Sequence, residues 1–100
     1  MTETASEIIL RPYQIAFPDF PVEDCPDIPE GWIDVSDESW MCPSWRVGRM
    51  TICVDFADPE RREIPEGARF FVIEEGPNEV VELFASDNWR EVRSFVACRL

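Results

Sequence analysis

A chain of 100 residues with 21 Asp/Glu, nine arginines and no lysine carries a net charge of −12, yet 45% of it is hydrophobic and 12% aromatic. That composition suits one domain with a single modest core and is too apolar for a disordered acidic tail, and its charge turns away nucleic acid and anionic lipid. The absence of histidine removes the commonest general base, the usual partner of a nucleophilic Ser or Cys, and the commonest metal ligand.

The opening segment Met1–Glu7 is acidic where a secretory signal is basic and then apolar, and no stretch approaches twenty apolar residues, so a cytoplasmic, non-membrane protein is expected. Residues 8–17 suit an extended edge segment, with Ile9, Tyr13, Ile15 and Phe17 on one side under period two and Pro12 arguing against a central position. Pro18, Pro21, Pro26 and Pro29 then interrupt any ladder, which predicts an ordered, acidic, proline-rich arm. Residues 32–36 predict a short strand and 37–44 a turn.

Residues 45–56 give the strongest strand signal, with Met50, Ile52, Val54 and Phe56 on one face and Arg49, Thr51, Cys53 and Asp55 on the other. A polar connection over 58–67 leads to 68–74, apolar on both faces and therefore central. The turn Glu75-Gly76-Pro77-Asn78 leads to 79–85, completing an antiparallel hairpin. From 87 to 98 the period becomes helical through Trp89, Val92 and Val96. Ser86, Asp87 or Asn88 is available as cap, with Glu91 near the start and Arg99 near the end. Ile-Pro-Glu-Gly occurs at 28–31 and again at 64–67, each time ahead of a predicted strand, and reads as one turn motif used twice.

The expected fold is α+β: a mainly antiparallel sheet of three to four strands with one C-terminal helix packed on a face. Residues 1–44 form an acidic, Pro- and Trp-rich arm and edge segment, and 45–100 the sheet and helix, within a single domain. The arm is expected to wrap an edge or the other face of the sheet.

Four cysteines are expected to be reduced, since nothing marks the chain for export. Cys25-Pro26 and Cys42-Pro43 have the form of haem-thiolate pairs, but no histidine offers a second axial ligand and the flanks are acidic. The cysteine intervals contain no Cys-x-x-Cys knuckle for zinc, and Asp34, Asp37 and Glu38 lack the spacing of a calcium loop. No cofactor or metal is expected.

The most informative stretch runs from Pro12 to Trp45, where no basic residue occurs. Asp19, Glu23, Asp24, Asp27, Glu30, Asp34, Asp37 and Glu38 supply charge there, and Trp32 and Trp40 supply aromatic area of the kind that anchors interfaces. Together they predict a surface for a basic protein partner. The expected function is that of a non-enzymatic inhibitor that blocks a nucleic-acid-binding surface, its carboxylates standing where phosphates would lie. In size and acidity the chain is similar to anti-CRISPR, anti-restriction and nuclease-immunity proteins, a likeness of character and not of motif. The rival expectation is a small accessory domain that homodimerises through a sheet edge, and a third is an enzyme using Cys42 or a carboxylate pair.

Overall fold

The computed structural model describes residues 10–100 as an α+β arrangement in which five strands form one antiparallel meander, ordered β1-β2-β3-β4-β5. The strands are β1 (Ile33–Asp34), β2 (Ser44–Val47), β3 (Met50–Val54), β4 (Phe70–Glu75) and β5 (Val80–Ser86). Two helices accompany them, α1 (Pro12–Ala16) and α2 (Trp89–Arg99). The expected sheet and its single C-terminal helix are present, with a strand count of five in place of three to four.

The additional strand has an identifiable cause. The run read as one strand over 45–56 is a hairpin, with Val47 paired to Met50 across Gly48-Arg49. Gly48 takes φ +61 and Arg49 does not share that sign, which matches the glycine-first, two-residue turn whose twist suits antiparallel strands. Period two continues on either side of so short a turn, so the alternation alone hides the fold-back. The short strand expected over 32–36 is present as β1, where Ile33 and Asp34 pair with Arg46 and Trp45. Gly31 ahead of it, at φ +98, turns the chain into the strand.

The edge strand expected over 8–17 is corrected by α1; Ile8 and Ile9 fall outside the described residues. Pro12 at the first helical position has a suitable φ already set, and the Gln14 side chain accepts a hydrogen bond from the Arg11 amide at 2.8 Å. Helical spacing sends Tyr13 inward at 4% exposure and leaves Ile15 outside at 67%, where period two would have kept them together.

The larger core lies on one face of the sheet. Trp45, Met50, Ile52, Val54, Phe70 and Val72 meet Val92 and Val96 of α2, and Tyr13 and Phe20 of the arm fill the space beside that helix. The Phe84 and Phe95 rings stack at 4.7 Å with 8° between planes, and Phe20 lies 5.0 Å from Phe56. Asn88 caps α2, its side chain accepting from the Arg90 amide at 2.9 Å. The opposite face carries a smaller cluster of Cys42, Cys53 and Ile73, covered by Trp40 and Met41. The arm therefore lies along the helix face, supplies an edge strand and then crosses to close part of the other face.

Candidate functional site: an acidic end of the sheet

β3 ends, β4 begins and β5 ends at the same end of the meander, so the β3–β4 connection and the β5–α2 junction meet there. Four long-range hydrogen bonds bring the arm to the same place. Arg61 Nη2 donates to the Asp19 carbonyl at 3.0 Å and Arg69 Nη2 to the Asp24 carbonyl at 2.7 Å. The Ala57 amide donates to Asp24 Oδ2 at 3.0 Å, and Trp89 Nε1 donates to the Asp27 carbonyl at 3.1 Å. The part of the arm that carries Asp19, Glu23, Asp24 and Asp27 is thereby brought to the end of the sheet where the connection carries Asp58, Glu60, Glu63 and Glu66. Asp87 joins them through the Arg69 amide at 2.8 Å.

Three arginines at this end, Arg61, Arg62 and Arg69, bind carbonyls and rings, not carboxylates, while Arg90 in the first turn of α2 stands exposed. Arg62 donates to the carbonyls of Phe56, Gly67 and Ala57 at 2.7, 3.0 and 3.2 Å. Arg61 also lies over the Phe56 ring at 4.6 Å and Arg69 over the Phe70 ring at 4.8 Å. Each guanidinium lowers the local field without taking up a carboxylate, so the carboxylates here keep their charge for an outside cation even where a backbone amide holds one oxygen, as at Asp24, Asp58 and Asp87. Among the described residues the one ion pair is Arg46–Glu75, at 3.4 Å, and it lies toward the opposite end of the strands.

The ten residues expected to bind a partner divide into separate places. Asp19, Glu23, Asp24 and Asp27 belong to the acidic end. Asp34 turns inward to local structure, with Oδ2 accepting from the Tyr13 amide and Oδ1 from the Ser36 amide, both at 3.1 Å. Asp37 accepts from the Ser39 amide at 2.8 Å, which holds its carboxyl below the usual range, and it stays exposed with Glu38 beside α1. A groove of about 560 Å³ runs there between Pro12, Ile15, Ala16 and Ser36, Asp37, Glu38. Glu30 is exposed in the turn before β1.

Neither tryptophan is an open anchor. Trp32 is half-buried against Trp89, with ring centroids 5.8 Å apart, and Trp40 is half-buried over Cys42, Cys53 and Ile73. The exposed apolar side chains are aliphatic: Val22 beside Glu23 at the acidic end, and Ile15 at the groove. Asp58, Glu60, Glu63, Glu66 and Asp87 were not among the expected binding residues. Arg61 and Arg62 sit within their stretch, and in sequence that mixture has the look of a balanced, solvated loop.

Two of the buried titratable groups are Cys42 and Asp55. Cys42 is fully buried, and its hydrogen bond with Cys53, followed by burial itself, pushes the thiol far above its ordinary range. A thiol so placed has no thiolate character to offer a nucleophilic mechanism. Asp55, 5% exposed, is pushed up by burial despite an opposing hydrogen bond from the Phe56 amide.

Among the described residues no group of three His, Cys, Asp or Glu side chains is placed to hold a metal ion, and no helix is long and apolar enough to cross a membrane. Comparison with protein-family models, with curated proteins and with solved structures finds no match.

Proposed function

We propose that this chain is a non-enzymatic cytoplasmic protein that occupies a basic, nucleic-acid-binding surface of a larger protein. Its acidic end meets the cationic groups that otherwise contact phosphate. Inhibitors of restriction, CRISPR or nuclease activity work by this physics, and the reading takes its support from one observation. The arm is fastened by its backbone carbonyls while the carboxylates of Asp19, Glu23 and Asp27 make no ion pair with any of the described residues. Backbone fastening fixes where the charges stand without consuming them, and a preset charge pattern steers association and discriminates among partners.

The apolar centre of the contact shifts from the tryptophans to Val22, which stands exposed beside Glu23. Asp37, Glu38 and the groove at Ile15 offer a second, smaller acidic-apolar surface. The alternative of an accessory domain that homodimerises through a sheet edge must bring together two copies each carrying −12.

The test is affinity capture from the native host cell at low and high ionic strength, with mass spectrometry of what is retained. The expected catch is a basic nucleic-acid-handling protein, held at low salt, released at high salt and missed by the triple variant Asp19→Asn, Glu23→Gln, Asp27→Asn. A partner that stays bound at high salt and to that variant overturns the electrostatic reading.

A further inference from the structure

β5 is the last strand of the meander, and the backbone groups on its outer side find no strand partner among the described residues. The other edge of the sheet differs: β1 has two residues and sits under α1 through the bond from Tyr13 to Asp34. β5 has seven residues, which at about 3.4 Å per residue is long enough to pair with an extended peptide segment of similar length. An open edge of this kind is a template for any strand that can approach it, and proteins guard such edges with lysine, proline, inward charge or a bulge.

The guards on β5 are selective. It contains neither lysine nor proline, and its bulge, where Ile73 pairs with Glu82 and Val72 with Phe84, leaves Val80–Glu82 and Phe84–Ser86 as regular runs. What guards it is negative charge. Glu82 is exposed within the strand, Glu75 and Glu79 flank its start and Asp87 follows its end, while Val80 and Val81 are exposed at 54% and 42%. Such an edge repels a second copy of this acidic chain and attracts a segment in which basic side chains alternate with apolar ones. Asp87 also belongs to the acidic end, so a strand laid along β5 runs into the surface already described.

We propose that β5 is a docking edge at which a basic extended segment of the partner adds to the sheet as a sixth strand. This deepens the reading above and rests on the partner being basic. Main-chain hydrogen bonds supply the register-independent part of the affinity, and the flanking carboxylates choose the charge of the segment.

The probe is a capped seven-residue peptide of alternating arginine and valine, titrated into isotopically labelled protein at low salt, with amide hydrogen exchange and chemical shifts read along Val80–Ser86. Expected are slowed exchange at alternate β5 amides and a roughly tenfold loss of affinity on full N-methylation of the peptide, which keeps its charge and removes its donors. Glu82→Arg, an exposed change whose effect on folding is read separately from the free protein's spectrum, is expected to weaken binding by a similar factor. Equal binding of the methylated peptide, with shifts confined to residues 19–27, overturns the docking edge and leaves the acidic surface standing. Slowed β5 exchange with an equally bound glutamine-valine peptide overturns the basic-partner reading instead. Protection of β5 that grows with protein concentration in the absence of peptide makes a second copy the occupant and also overturns the proposal.

Discussion

The two faces of the sheet are closed by different means. One is covered by an eleven-residue helix and by the arm, and it buries aromatic and branched side chains from nearly every element. The other is closed only in part, by the loop that carries Trp40, Met41 and Cys42, over Cys53 and Ile73. Alternation along β3 and its continuation puts Thr51, Cys53 and Asp55 on this second face, so apart from Ile73 its interior groups are small, polar or titratable. Most apolar burial belongs to the helix face, and sensitivity to pH belongs to the loop face.

The contrast is sharpest in large-to-small substitutions. Phe70→Ala on the helix face is expected to cost about 3–5 kcal/mol, and Ile73→Ala under the loop about 2 kcal/mol, the cover there being short enough to settle into the space. Urea unfolding followed by tryptophan fluorescence measures both. An Ile73 variant as damaged as the Phe70 variant would break the comparison.

Asp55 gives the pH test. Its folded pKa is raised, so the native state holds the proton more tightly than the unfolded chain. The stability this contributes is present at low pH and is lost as pH rises from the unfolded value through the folded one. Asp55→Asn keeps an acceptor for the Phe56 amide and removes that loss. The variant's stability relative to the natural protein should therefore grow as pH rises above the unfolded carboxyl's value of about 4, as read by urea midpoints at a series of pH values. A difference that is flat with pH removes the titratable group from the account.

Smaller effects refine the picture. Trp40 Nε1 is buried without a partner, so Trp40→Phe gives up some packing and relieves an unsatisfied donor, for a net change within about 1 kcal/mol of zero in thermal unfolding. A loss of several kcal/mol would mean that the indole closes this face more completely than its half-burial implies. Least of all, Glu75→Gln is expected to cost less than about 0.5 kcal/mol, because its pairing with Arg46 is exposed on both sides.

Much of the fold was legible in the sequence where burial and periodicity agree. α2 carried helical spacing at Trp89, Val92 and Val96 together with a cap, and β4 carried an unbroken apolar run. The Gly48 turn was hidden because alternation persists across it, and α1 because five residues span barely more than a turn. Acidity of the arm was plain from composition, but where it lands was not. That depends on Arg61, Arg69 and Trp89 reaching 42, 45 and 62 residues back along the chain. The tryptophans misled for a related reason: their sequence neighbours are carboxylates, but their spatial neighbours are Trp89 and a pair of thiols.

A carbonyl is the one acceptor that every amino acid possesses. Since Asp19 and Asp27 are gripped by that group, the architecture is indifferent to which side chain stands at either position, whereas Asp24, whose own oxygen holds the Ala57 amide, and Asp87, which holds that of Arg69, are committed. At the positions held in this way the outward side chain can be rewritten while the scaffold beneath persists, so the charge shown to the outside can change without the chain first having to refold.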